Sequence, residues 1–166
     1  MIFRKTSLTV TEFFFRQTET FLIDTRGATD YDPAIPGSKP FYILDLMDNI
    51  EKFQTKYDAV MREKGTLLVC RKGDGTEMLR KKFSRKYQVM SLQGGMVAYL
   101  EFITRLLAEH PYEQPHIRDE TMRLLLEKLT NRHTPFPIFR RIANRLLSSS
   151  PDPAIRQKGG HRNLKM

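Results

Sequence analysis

The chain has 166 residues, of which 40% are apolar and 28% charged, and it carries a formal net charge of +9. This composition excludes a disordered tract and a fibre, and the length suits about one domain with its own core. No run approaches the ~18 apolar residues of a membrane span, and no signal-peptide stretch follows the first basic residues. The single cysteine, Cys70, excludes an internal disulfide and a multi-cysteine zinc site. We therefore expect a soluble, cytoplasmic protein that does not bind a membrane.

The positive charge is concentrated towards the C terminus. Residues 1–109 carry a net charge of +3, whereas residues 110–166 carry +6. Such a basic segment could bind RNA or an acidic protein, because phosphate contacts depend mostly on charge. A solvated basic surface explains the same composition more simply. Composition alone leaves both interpretations open.

Apolar runs alternate along residues 1–109 in the pattern of strands and helices. The predicted strands are 7–10, 21–24, 41–44, 66–69 and 89–92. The predicted helices are one that Asp48 caps and Gly65 ends, then 76–86 with Met78, Leu79 and Phe83 towards the core, and 96–109. Strands separated by helices imply right-handed crossovers and a mostly parallel sheet that is covered on both faces. Residues 1–109 are therefore predicted to form one α/β domain.

The sequence pattern changes after His110-Pro111, which interrupts the last helix of that domain. Amphipathic helices are predicted at 119–131 and 136–147, so residues 110–147 form a helical extension, and residues 148–166 a flexible basic tail. Aromatic and basic residues lie close together on the second helix, but their three- and four-residue spacing favours burial over base stacking. The apolar positions are Phe136, Phe139, Ile142 and Leu146. The basic residues available to RNA are Arg132, Arg140, Arg141, Arg145, Arg156 and Arg162.

Cys70 stands where open parallel sheets bind their ligands, beyond the carboxyl end of a predicted strand. It begins a loop with two glycines, Gly73 and Gly75, which leads into a helix. Loop amides, the helix N terminus and the cations Arg71 and Lys72 all favour a thiolate, which is the nucleophilic form. The glycines permit the close backbone approach that such a loop needs. A buried, inert cysteine is the alternative.

Four segments together resemble the rhodanese (thiosulfate sulfurtransferase) homology-domain family, in its single-domain type. In that family an apolar strand ends in Asp-x-Arg, a His-Ile-Pro-Gly-Ala segment follows, the active loop begins Cys-Arg-Lys-Gly, and a helix starts with Gly-Gly-x-x-Ala-Trp. The similar segments here are FLIDTR (21–26), AIPGS (34–38, after Tyr31), CRKG (70–73) and LQGGMVAY (92–99). The resemblance covers about residues 5–109. It implies a three-layer rhodanese-like fold, to which this chain adds its helical extension.

The resemblance also implies a sulfurtransferase that needs no metal or cofactor. The Cys70 thiolate would take the outer sulfur of a small anionic donor such as thiosulfate, and the resulting persulfide would pass it to cyanide, a thiol or a carrier protein. The implied donor-binding residues are Arg71, Lys72, Gly73, Asp74, Gly75 and Thr76. Asp74 departs from the neutral residue usual in thiosulfate users and would weaken binding only if it pointed into the loop. Asp24 and Arg26 would support the site, or form a purely structural ion pair.

Two further functions remain open at this point. Dual-specificity phosphatases share this fold, but their loop closes with an arginine six residues after the cysteine, whose fork binds phosphate. Here Thr76 occupies that position, and the next arginine is Arg80. A non-catalytic module that binds a partner or senses redox state would carry the same cysteine. Only the enzyme requires a persulfide on Cys70.

Overall fold

Strands and helices are interspersed along residues 5–27 and 32–156, which are the residues that this computed structural model describes. The strands are β1 (Ser7–Leu8), β2 (Phe21–Asp24), β3 (Lys39–Pro40), β4 (Thr66–Val69) and β5 (Val89–Leu92). They form one sheet in the order β1-β5-β4-β2-β3, and every pair is parallel. The predicted α/β class with a parallel sheet is therefore confirmed.

Helices cover both faces of this sheet. They are α1 (Val10–Arg16), α2 (Ile43–Asp48), α3 (Ile50–Glu63), α4 (Glu77–Phe83), α5 (Gly95–Glu109), α6 (Arg118–Leu129) and α7 (Phe136–Ser148). Successive residues of a strand point to opposite faces, so Leu67 and Val69 of β4 join a hydrophobic cluster with α1, α5, α6 and α7. Leu68 joins a second cluster with α2, α3 and α4. The arrangement is compatible with a three-layer α/β fold.

The three central strands begin and end as predicted, because they are buried on both faces and read as nearly continuous apolar runs. The prediction of a strand at 41–44 is wrong. The edge strand β3 comprises only Lys39–Pro40, and the chain enters α2 at Ile43. The apolar residues of this run pack against the second cluster instead, as Phe41 and Ile43 show.

Two helix details also differ from prediction. Asp48 ends α2 instead of capping α3, which follows Asn49. Met78 was expected to face the core, but it is 68% exposed, whereas Leu79 and Phe83 are buried as predicted. Leu79 and Phe83 lie about one turn apart on α4, so they fill the face that meets the sheet. Met78, one residue before Leu79, therefore lies on a different face of the helix and points to solvent.

The C-terminal extension packs on the first cluster through α6 and α7. Phe139 and Leu146 are buried there, with Phe136 and Ile142 partly buried, which confirms the predicted apolar stripe. Tyr99 of α5 ties the extension down by donating a hydrogen bond to the backbone oxygen of Leu129, 2.6 Å away. Fully buried polar groups of this kind need such partners.

The segment predicted as a flexible tail begins differently from expectation. Residues 153–156 form a helical turn, and Ile155 is buried in the first cluster. Ser150 is buried as well, so the segment contacts the domain at these two positions, while residues 151–154 are exposed. Residues 157–166, which include Arg162, lie outside the described residues, as does Tyr31. Within the described ranges, no helix combines the length and apolarity needed to cross a membrane.

Candidate active site at the carboxyl edge of the sheet

Cys70 directly follows β4, whose neighbours in the sheet are β2 and β5. It therefore lies near the middle of the carboxyl edge and opens the loop 70–76 before α4. The residue is only 9% exposed, and the Gly73 N–H donates a hydrogen bond to its Sγ at 2.9 Å. A backbone donor aimed at sulfur stabilises a negative charge there more than a neutral thiol. The loop thus has the geometry expected around a nucleophilic thiolate.

Close contact with the start of α5 holds this loop in place. The N–H groups of Met96 and Val97 donate to the backbone oxygens of Cys70 and Arg71, at 2.9 and 3.0 Å. Gly95 has a φ of +57°, and a Cβ on it would fall far inside van der Waals contact with the Cys70 oxygen. Gly73 has a φ of +89°, and a Cβ there would lie 2.5 Å from the Gly94 nitrogen. Two backbones therefore meet where only glycine fits.

The remaining loop residues present charge to solvent around the sulfur. Arg71, Lys72, Asp74 and Gly75 are all exposed. A Cβ placed on Gly75 would lie 3.9 Å from the Cys70 Sγ, so the loop folds back over the sulfur. Arg71 and Lys72 can approach an anion that enters from solvent. The exposure of Asp74 leaves its carboxylate accessible to water instead of enclosed with the thiol.

Thr76 does not take the position predicted for it. Its side chain is buried, and its hydroxyl shares a hydrogen bond of 2.7 Å with the hydroxyl of Ser91 on β5. Thr76 therefore anchors the end of the loop to the sheet, in place of the predicted contact with a donor. Ser91 was missed in the sequence. It is the only polar side chain of β5, and a lone hydroxyl in a buried strand is the signal that could have identified it.

Asp24 and Arg26 form a two-pronged ion pair at the end of β2. The Arg26 Nε and Nη2 atoms donate to the two carboxylate oxygens at 2.9 and 2.7 Å, and its backbone N–H donates to Oδ1 at 3.1 Å. Nη2 also donates to the Pro33 oxygen. The pKa of Arg26 lies above its ordinary value, chiefly through the hydrogen bonds to Asp24, with charges on Asp24, Asp32 and Cys70 adding to the effect. Arg26 is therefore within electrostatic range of Cys70.

A third charged group was not predicted for this site. Arg132, in the turn between α6 and α7, is 5% exposed at its side chain, and its Nη2 lies 3.8 Å from the Asp24 Oδ2. In the part of the chain that the structure describes, neither Nη1 nor Nη2 has a hydrogen-bond partner. Its backbone oxygen accepts from Gly37, and that of Thr130 accepts from Ala34. In the sequence Arg132 is one of several arginines in a basic segment. No sequence signal distinguishes it from the others as a residue of this site.

Because Arg132 is buried, it is not among the basic residues exposed to RNA. Arg80 likewise does not lie where a phosphatase would need it. Arg80, the first arginine after the loop, is bound to Glu77 on its own helix. An arginine held there does not close the cysteine loop as phosphatase chemistry requires. Among residues 5–27 and 32–156, no three His, Cys, Asp or Glu side chains gather in a group that could hold a metal ion.

Comparison of the chain with family models, with curated proteins and with solved structures finds no match. Its function must therefore be judged from the chemistry of the cysteine loop and of the groups around it.

Proposed function

We propose that the protein is a rhodanese-type sulfurtransferase, which moves sulfane sulfur from thiosulfate or a similar anionic donor through a persulfide on Cys70. The observation that carries the proposal is the cysteine loop itself. A backbone N–H donates to the Cys70 sulfur, and Arg71 and Lys72 are exposed at the loop's start. The four sequence segments that resemble this family add to that observation, because all of them fall within residues 21–99.

In the first step the Cys70 thiolate attacks the outer sulfur of thiosulfate. A new S–S bond forms to the Cys70 Sγ, the S–S bond of thiosulfate breaks, and sulfite leaves with the bonding electron pair. Arg71 and Lys72 bind the anionic oxygens of the donor before the attack. A cation near these oxygens also stabilises the charge that develops on the departing sulfite. The Gly73 N–H, which donates to the Cys70 sulfur, helps to hold the sulfur at its position.

In the second step the outer persulfide sulfur passes to a nucleophilic acceptor. Cyanide attacks that sulfur, the Cys70–sulfur bond breaks towards Cys70, and thiocyanate and the original thiolate result. A small thiol or a cysteine of a carrier protein accepts the sulfur in the same way and becomes a persulfide. No external oxidant or reductant is consumed in either step. The reaction needs a reduced thiol, which the cytoplasm maintains, so the proposal places the protein there.

The proposal is tested by measuring thiocyanate formed from thiosulfate and cyanide. The intact protein should catalyse the reaction, and Cys70→Ser should abolish it. Lys72→Met should raise the KM for thiosulfate more than it lowers kcat. Lys52→Met removes an exposed lysine from α3 and should change neither quantity.

Two results would contradict the proposal. One is turnover that survives Cys70→Ser. The other is the absence of turnover with several sulfane donors while Cys70 still reacts with an alkylating reagent, which would favour the non-catalytic, redox-sensing module.

A further inference from the structure

We propose that Arg132, supplied by the C-terminal extension, is a positioning residue that adds one positive charge beside the Cys70 site. It acts through Asp24, whose carboxylate it shares with Arg26. Asp32 also lies within electrostatic range of Arg26. Two guanidinium groups and two carboxylates sum to zero, and without Arg132 the remaining three groups carry one negative charge. The consequence for sulfur transfer rests on the proposed function, but the charge itself can be measured without it.

The burial of Arg132 is the first observation behind this inference. Its side chain is 5% exposed, and burying a charged group is unfavourable unless a counter-charge compensates for it. The Asp24 Oδ2 lies 3.8 Å from the Arg132 Nη2. That distance is beyond a hydrogen bond, so Arg132 interacts with Asp24 by charge alone. Asp24 already accepts three hydrogen bonds from Arg26.

The second observation is the position of this cluster beside the thiol. In the sheet Asp24 lies opposite Val69, the residue before Cys70, so the cluster stands beside the sulfur at the same edge. Low solvent exposure strengthens the attraction between Arg132 and an anion at this edge, since charges interact more strongly away from water. The positive charge of Arg132 therefore attracts an anionic reagent or donor to this edge. Without it the carboxylates of Asp24 and Asp32 would outweigh Arg26 and attract such an anion much less.

The third observation is that the extension is joined to the site at Arg132 itself and two residues before it. Ala34 donates to the Thr130 oxygen at 2.7 Å, and Gly37 donates to the Arg132 oxygen at 2.9 Å. These contacts fix Arg132 against the segment that follows β2. Asp24 is the last residue of β2, and Arg26 lies in the segment after it. The extension is thus part of the site's electrostatics, and the site is incomplete without it.

The test compares the alkylation of Cys70 by iodoacetate, an anion, with alkylation by iodoacetamide, its neutral analogue of similar size. The ratio of the two second-order rate constants reports the local charge. Arg132→Met should lower this ratio by about threefold or more, the scale of weak electrostatic steering. Arg132→Lys retains the charge and should restore most of the ratio. Arg140→Met, which removes an exposed arginine from the same extension, should leave it unchanged.

A purely structural role for Arg132 would alter both rate constants together and leave their ratio intact. An unchanged ratio in folded Arg132→Met, or an equal fall in Arg140→Met, would overturn the inference. If Arg132→Met does not fold, Asp24→Asn serves in its place, since removing the carboxylate should raise the ratio. A ratio that Asp24→Asn does not raise would equally overturn it.

The same measurement separates this inference from the proposed function. A ratio that falls in Arg132→Met, in a protein that forms no persulfide, supports the charge and refutes the sulfurtransferase. Persulfide formation with an unchanged ratio supports the enzyme and refutes the role of Arg132.

Discussion

Replacing Gly95 with alanine should damage the cysteine loop far more than the same replacement at Gly37. Both glycines have positive φ values, +57° and +82°, so both substitutions force an L-residue into the left-handed region. At Gly37 a Cβ meets nothing within 4 Å. At Gly95 it collides with the backbone oxygen of Cys70 and the carbonyl of Arg71. Comparing Gly37→Ala with Gly95→Ala therefore separates the cost of backbone strain from the cost of the collision between two backbones.

The two costs can be worked out separately. The left-handed conformation alone costs about 1–2 kcal/mol, which is the whole expectation for Gly37→Ala. Relief of the collision at Gly95 requires the loop to move away from α5. That movement breaks the hydrogen bonds from Met96 and Val97, at 2.9 and 3.0 Å, and a buried group left unpaired costs about 1–3 kcal/mol. With two groups left unpaired, the sum for Gly95→Ala is about 3–8 kcal/mol.

Equilibrium unfolding in urea measures both variants against the original chain. Gly37→Ala should retain a normally reactive Cys70, whereas Gly95→Ala should lose most of its stability, since small domains have about 5–15 kcal/mol in total. If the two variants were destabilised equally, the contact between α5 and the loop would not be the constraint described above. Normal sulfur transfer by Gly95→Ala would refute the reasoning as well.

Three further predictions address other contacts. Tyr99→Phe leaves the Leu129 oxygen without the donor at 2.6 Å, so urea unfolding should show a loss of about 1–3 kcal/mol, and no loss would contradict the role of this bond. Burial lowers the pKa of His110 below 6.5, so the unfolded chain binds a proton on His110 at a higher pH than the folded protein does. Stability should therefore fall as the pH drops below about 6.5. In a plot of Tm against pH, His110→Gln should make that fall shallower, whereas His116→Gln, at an exposed position, should not. Parallel plots for the original chain and both variants would refute the prediction. Arg71→Met should raise the KM for thiosulfate by about tenfold, the size of one charged hydrogen bond, and an unchanged KM would exclude Arg71 from donor binding.

The central sheet was predictable because burial on both faces leaves a clear trace in sequence. Phe21–Asp24, Thr66–Val69 and Val89–Leu92 are short, nearly continuous apolar runs, as a covered parallel sheet requires. The run at 41–44 has the same composition, but it belongs to the start of a helix. A short apolar run does not by itself distinguish a buried strand from a buried helical turn. The true edge strand, Lys39–Pro40, is exposed and leaves no apolar trace.

The site was predictable to the extent that it is local in sequence. Cys70, Gly73 and the neighbouring cations lie within four residues, and the structure brings the Gly73 amide to the Cys70 sulfur. The roles of Thr76 and Arg132 depend on partners distant in the chain, Ser91 and Asp24. Such contacts are set by tertiary structure, which local composition and spacing do not encode.

Intact-mass measurement of the reduced protein before and after thiosulfate tests the central claim most directly. The account predicts a gain of one sulfur atom, reversed by an added thiol and absent from Cys70→Ser. A mass that stays unchanged with thiosulfate and with other sulfane donors, while Cys70 remains open to alkylation, would contradict it.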